Sequence, residues 1–184
     1  MNKIIKGGQF LDIDLILDKA GVKENTKIAD LGCGSGGYFV FPSAQRVGVH
    51  GVVYAIDILK SILESIRRRA KQDVLDEIVK IIWSDLEIYG ATKIDASSVD
   101  VALLANTLYQ SHKRVEILRE ATRLLKKGGR LVVVEWKNTS CPFGPPADAK
   151  VDKKHLEDAA SRLGLHEEGE FQAGEYHYGK VFIK

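Results

Sequence analysis

The stretch Asp30-Leu31-Gly32-Cys33-Gly34-Ser35-Gly36-Gly37 places one carboxylate ahead of four glycines. Glycine lacks a Cβ, so such a run lets the chain turn sharply and lets a ligand lie against the main chain. Two templates fit it. One is G-x-G-x-G. The other, through Gly37, is the G-x-G-x-x-G spacing that seats a pyrophosphate on a helix N-terminus. Asp57 follows Gly37 by 20 residues, about the separation at which the second template carries its ribose-binding acid. On glycine spacing alone both stay open. Asp30 separates them. A carboxylate two residues before the first glycine is badly placed for a diphosphate and well placed for an ammonium or a sulfonium. Together with Asp57 and Asp85 it fits a cationic nucleoside, whose ribose hydroxyls and adenine amine all need acceptors. S-adenosylmethionine carries both cations and no phosphate.

Other polar or aromatic residues fall just after apolar runs, where open α/β sheets bind ligands. They are Asn106, Tyr109, Gln110 and His112, then Trp136 and Lys137, then Tyr176 and His177. Gln9 and Phe10 stand where an N-terminal segment would cover the same end. Tyr109, His112 and His177 are the candidates for a catalytic side chain, without one of them standing out. Duller roles compete: Asp85 as a helix cap, Asn106 as a strand terminator, Tyr109 and Trp136 as packing. Cys33 reads as a small residue under the ligand. His50, His112, His155, His166 and His177 show no metal-ligand spacing, so no metal is expected.

The elements that must position these residues follow from periodicity. Asp12 caps a helix with Ile13, Ile16, Leu17 and Ala20 inward, stopped by Gly21. Strands are expected over 27–31, 52–56, 78–83, 99–105 and 131–135. Helices are expected over 38–47, with Pro42 tolerable only in the first turn, and over 59–70, with Leu59, Ile62, Leu63, Ile66 and Ala70 inward. Val115, Leu118, Thr122 and Leu125 mark a further helix, closed by Gly128-Gly129. Residues 137–151 hold Pro142, Pro145 and Pro146 and read as a loop. Asp152 caps a last helix with Leu156, Ala159, Ala160 and Leu163 inward. Two strands near 165–171 and 178–183 form a hairpin. Five β–α units and a hairpin predict an α/β fold with a mostly parallel sheet and helices on both faces.

In order along the chain, KIADLGCGSG (27–36), VYAIDI (53–58), Ser84-Asp85-Leu86, VDVALLAN (99–106) and LLKKGGRL (124–131) resemble the class I S-adenosylmethionine-dependent methyltransferases. They resemble in particular the small group around the ubiquinone/menaquinone C-methyltransferases, sometimes termed type 11. The resemblance runs from Lys27 to Glu135, and the last fifty or so residues follow only in outline. It implies a Rossmann-like seven-stranded sheet whose last strand is antiparallel. It implies that Asp30 and the backbone of Gly32, Cys33, Gly34 and Gly36 hold the methionine part. Asp57 would accept the ribose hydroxyls with Ile58 beside the adenine, Asp85 would face the adenine amine with Leu86 adding a backbone contact, and Asn106 would lie near the transferred methyl. S-adenosylhomocysteine would be the product.

Composition agrees with this class. The 184 residues, 45% hydrophobic and 28% charged, suit one globular domain, with residues 1–26 as a helical segment and possible lid. A net charge of +2 gives no reason to expect nucleic-acid binding. The basic run Arg67-Arg68-Arg69 with Lys71 has a solvated helix face as its default. No apolar run approaches a membrane span or a signal peptide, and two cysteines make no disulfide framework. A cytoplasmic monomer or homodimer with an unidentified methyl acceptor and no membrane association is expected. A nicotinamide-dependent oxidoreductase and a non-catalytic S-adenosylmethionine-binding subunit are the alternatives.

Overall fold

A computed structural model describes residues 11–139, 141–142 and 144–184. Gln9 and Phe10 lie outside the described residues. The elements in order are α1 (Ile13–Ala20), β1 (Lys27–Leu31), α2 (Val40–Val47), β2 (Val52–Asp57), α3 (Lys60–Gln72), β3 (Val79–Trp83), β4 (Val99–Ala105), α4 (Arg114–Leu124), β5 (Leu125–Trp136), α5 (Lys153–Arg162), β6 (His166–Gln172) and β7 (His177–Ile183). The seven strands form one sheet in the order β3-β2-β1-β4-β5-β7-β6. β1 to β5 run parallel, and β7 is antiparallel to both β5 and β6. The Rossmann-like fold expected from the sequence is therefore present.

Runs such as Val101-Ala102-Leu103-Leu104 are apolar without interruption because both sides of a covered parallel sheet are buried. Ile28, Val53, Val101, Leu103, Val132 and Val134 face α1, α2 and α3. Ala29, Leu31, Ile56, Ala102, Leu104, Leu131 and Val133 face α4 and α5. The caps act as expected at α1, where Asp12 accepts from Leu15 N–H at 3.0 Å and Gly21 closes the helix at φ 73°. Pro42 is the third residue of α2, where no intrahelical N–H bond is missed.

Four expectations are corrected. Leu59 precedes α3 and is 55% exposed, because its N–H is tied at 2.9 Å to Asp57 Oδ1 and its side chain turns outward. Val115 is likewise exposed on the outer face of α4. Gly128-Gly129 does not close α4. That helix ends at Leu124, and residues 126–129 bulge out of β5, whose pairing jumps from Val99↔Leu125 to Val101↔Arg130. Finally, β3 leads to β4 through a loop, so there are four β–α units rather than five. Buried Glu120 on α4 replaces a covering helix as the anchor. It accepts from Gly90 N–H (2.8 Å) and Thr92 N–H (3.1 Å) and pairs with Arg123, which also binds the carbonyls of Thr92 and Ile94.

Candidate functional site

Strand order reverses between β1 and β4, and the carboxyl ends of these strands part to open a cleft there. After β1 the chain turns at Gly32, whose φ of 83° a side chain rarely adopts. A Cβ at that position would also lie 2.8 Å from Thr107 Oγ1, which donates to the Leu31 carbonyl at 2.8 Å. The loop is pinned to β2, with Gly32 and Cys33 N–H both donating to the Ile56 carbonyl at 2.9 Å and Gly34 N–H donating to Asp57 Oδ2 at 3.2 Å. Gly34 has a positive φ and open space where a Cβ would stand, so a ligand can rest on its main chain.

Asp30 ends up 2% exposed beside this loop, and its Oδ2 has no hydrogen-bond partner among the described residues. Burial, reinforced by the nearby Asp57 charge, pushes its carboxyl up to about 7. A buried, unpartnered carboxyl is costly unless a cation or donors arrive to meet it. The same burial and the two acids drive the Cys33 thiol far upward, so it is no nucleophile.

From β4, Asn106 adopts a left-handed φ of 55°, which asparagine tolerates better than most residues. Its Oδ1 is buried without a partner among the described residues, and its carbonyl accepts from Gln110 Nε2 at 2.6 Å. The loop after it is held by Glu135, wholly buried at the end of β5, whose Oε1 accepts from Leu108 N–H (2.7 Å) and Tyr109 N–H (3.4 Å). Burial raises the Glu135 carboxyl to about 7 against these bonds. Trp136 and His177 stand opposite each other on β5 and β7 with ring centroids 4.1 Å apart. His177 is 1% exposed, and burial, with the Lys137 charge, lowers it to about 4. It is a neutral imidazole at physiological pH.

The cleft measures about 460 Å³. Of the residues singled out from sequence, Asp30, Gly32, Cys33, Gly34, Asn106 and His177 line it, joined by Gln110 and Trp136. Gly36, Asp57, Ile58, Asp85 and Leu86 do not. Asp57 lies directly beneath the loop. Ile58 is 51% exposed, with its carbonyl accepting from Trp83 Nε1 at 2.8 Å, and Asp85 accepts from Glu87 N–H at 2.9 Å. The Leu86 side chain packs into the core under α4. Two catalytic candidates fall elsewhere. Tyr109 packs against that same core, and His112 borders a separate hollow between α4 and α5 beside Asp152 and His155. Tyr38, Phe39, Leu11 and Ile13 line the cleft without having been singled out. The first two look in sequence like the start of a helix, Ile13 like part of the buried face of α1, and Leu11 like a residue just ahead of its cap. In the sequence Glu135 is no more than an acid at the end of an apolar run.

A family profile described as a methyltransferase domain matches residues 22–175. A demethylmenaquinone methyltransferase from Lactococcus lactis is 26% identical over 127 residues, which is 69% of this chain and 48% of that protein. A ubiquinone/menaquinone biosynthesis C-methyltransferase from Laribacter hongkongensis is 30% identical over 151 residues, 80% of this chain and 59% of that protein. The chain thus spans about half the length of these curated relatives. In fold, the crystal structure of a SAM-dependent methyltransferase from Aquifex aeolicus superposes with a TM-score of 0.84 at 22% identity, covering 95% of this chain and 90% of that one.

Proposed function

The chain belongs to the methyltransferase-domain family, and from that premise we propose that it moves a methyl group from S-adenosylmethionine to an acceptor, leaving S-adenosylhomocysteine. The observation that carries this is Asp30, a buried, unpartnered carboxylate beside a glycine cradle. It suits a cationic ligand and penalises a pyrophosphate, which disfavours the nicotinamide reading. When bound, the cofactor supplies an activated methyl carbon; the chain supplies alignment and exclusion of water.

In this reading Asp30 and the Gly32–Gly36 backbone hold the methionine part, and Asn106 Oδ1 meets a donor near the methyl. Asp57 takes the ribose diol on lone pairs left over from its bonds to Gly34 and Leu59. Ile58, Asp85 and Leu86 flank the adenine on the open side. Leu11 and Ile13 line the cleft just before and within α1, which supports a lid role for residues 1–26 within one domain spanning 1–184. No helix among the described residues is long and apolar enough to cross a membrane. Cys33 and Cys141 are free, which agrees with a reducing cytoplasm. A monomer or homodimer acting on an unidentified acceptor completes the proposal, and neither a nucleic-acid partner nor membrane association is part of it.

Calorimetry with S-adenosylmethionine, S-adenosylhomocysteine and NAD tests it. Binding of the first two and not the third is expected. NAD binding in their place overturns it, and intact cofactor binding with no turnover on any acceptor supports the non-catalytic subunit instead.

A further inference from the structure

The end of the cleft away from the glycine loop is walled by Leu11, Ile13, Tyr38, Phe39 and Trp136, with His177 between them. Three hydrogen-bonding atoms there are buried and have no partner among the described residues: Trp136 Nε1, His177 Nδ1 and His177 Nε2. Nothing in the folding of the sheet requires this. Trp136 and His177 face each other across the β5–β7 ladder, a position that a pair of apolar residues would fill at no cost in unmet hydrogen bonds. Among the described residues, few charged groups lie near the imidazole. Asp30 lies across the cleft on β1. The Lys137 ammonium is turned away onto the carbonyls of Gly174 (3.1 Å) and Glu175 (2.8 Å). Glu135 projects to the opposite face of β5 toward the Leu108 N–H. From the α1 side, among the described residues, Leu11 and Ile13 reach the cleft.

An indole N–H needs an acceptor, and a neutral imidazole offers one lone pair and one N–H. A single group that satisfies the indole and the lone pair together must both accept and donate. An ammonium only donates and a carboxylate only accepts, while a neutral amine that spends its one lone pair on the indole N–H has none left for the methyl carbon. An uncharged hydroxyl does both, and the aromatic walls favour a hydroxyl on a flat, apolar frame.

Resting on the methyl-transfer reading, we propose that Trp136 and His177 form the acceptor subsite, that the acceptor is a neutral conjugated hydroxyl (a phenol or an enol), and that His177 receives its proton. The hydroxyl oxygen forms the bond to the methyl carbon as the carbon–sulfur bond breaks and its electron pair stays on sulfur. The hydroxyl proton passes to the imidazole and from there to solvent. A weak base suffices, because the proton becomes strongly acidic as the O–C bond forms. An imidazole that is uncharged until the transfer also sits beside a cationic cofactor without repelling it as it binds.

The test uses the full chain with S-adenosylmethionine, a panel of uncharged phenols and 1,3-diketone enols, the methyl ether of each, and a matched panel of amines. Methylation of phenols or enols, with none of the ethers or amines, is expected. In His177→Gln the amide keeps donor and acceptor but takes no proton. Cofactor affinity by calorimetry should stay within about threefold, KM for the phenol should change little, and kcat should fall by roughly 10²–10⁴-fold. The residual kcat should then climb about tenfold per pH step toward the phenol's own pKa, where pre-ionised phenolate reacts unaided, while the wild-type kcat stays flat above pH 7.5. Trp136→Phe should raise KM with kcat largely kept, and His155→Ala, far from the cleft, should change neither. Amine-only turnover, or a His177→Gln enzyme with unchanged kcat, overturns the inference and leaves the cofactor assignment standing. Failure of wild type to bind S-adenosylmethionine overturns both.

Discussion

Replacing Asp30 by Asn tests whether the site is built around a cation. The rise of this carboxyl from 3.8 to about 7 corresponds to about 4 kcal/mol of unfavourable ionisation in the ligand-free fold. Below about pH 4 the group is protonated in folded and unfolded chains alike, so the cost is nil. Between pH 4 and 7 the folded chain holds one proton more than the unfolded chain, and stability falls as pH rises. Above pH 7 the whole cost is felt. Asp30→Asn removes it, so the ligand-free variant should melt roughly 10 °C higher than wild type at pH 8 and about equally at pH 4. Glu135 titrates in the same window and keeps its own share in both proteins. Ligand binding should show the inverse. A cation beside Asp30 favours the ionised form, so wild-type affinity for S-adenosylmethionine should rise about 30-fold from pH 5.5 to 8 and then level off. Calorimetry in buffers of different ionisation enthalpy should count close to one proton released at pH 6 and almost none above pH 8. Asp30→Asn should bind more weakly at pH 8 and lose this dependence. Equal affinity at pH 5.5 and 8, or a variant that matches wild type at both, would refute the reasoning.

Other perturbations have different signatures. Gly32→Ala forces a side chain to φ 83° and against Thr107, so scanning calorimetry should show a loss of about 1–2 kcal/mol from the backbone alone, with cofactor affinity falling more than about tenfold. Adding Thr107→Ala should recover part of the stability, and no recovery would mean that the clash is not the cause. Glu120→Ala strands Arg123 and two N–H groups and should cost about 3–5 kcal/mol at pH 7 in urea titrations. Burial disfavours the Glu120 charge, but the bonds from Arg123, Gly90 and Thr92 outweigh it and hold the carboxyl at about 2. Its contribution is therefore complete above pH 4.5 and fades as pH falls toward 2, and the gap between variant and wild type should narrow at pH 3. Gly179→Ala would put a Cβ 2.2 Å from the Phe171 ring that covers it, costing about 1–3 kcal/mol. Pairing it with Phe171→Leu should relieve most of that.

What was legible in the sequence was whatever local chemistry decides. Asp12, Gly21 and Asp152 announce helix ends because capping is settled within a few residues. Uninterrupted apolar runs announce buried parallel strands, and acids after the first two of them announce the ligand end of the sheet. Residues whose role depends on distant partners were not legible. Nothing near Glu135 in the chain reveals that it holds the loop at 108–109, and nothing near Glu120 reveals that it replaces a helix between β3 and β4. Tyr109 and His112 follow β4 directly, as Asn106 does. The 3₁₀ turn Leu108–Gln110 rotates them toward α4, whereas the left-handed Asn106 stays in the cleft. His177 was one polar residue among several near the chain's end, until pairing with β5 set it against Trp136.

The position of β7 bears on how this protein is made. Among the seven strands of this sheet it is the last to leave the ribosome, yet it occupies the interior between β5 and β6. Until residues 177–183 are free of the exit tunnel, β5 presents an open edge along Leu131–Val134 and the cleft lacks its back wall. The nascent domain must therefore wait with apolar strands exposed, and its competence to hold ligand arrives in one late step rather than growing with length. A stall or truncation just before residue 177 should leave a domain that lacks only this strand, prone to aggregate and unable to bind.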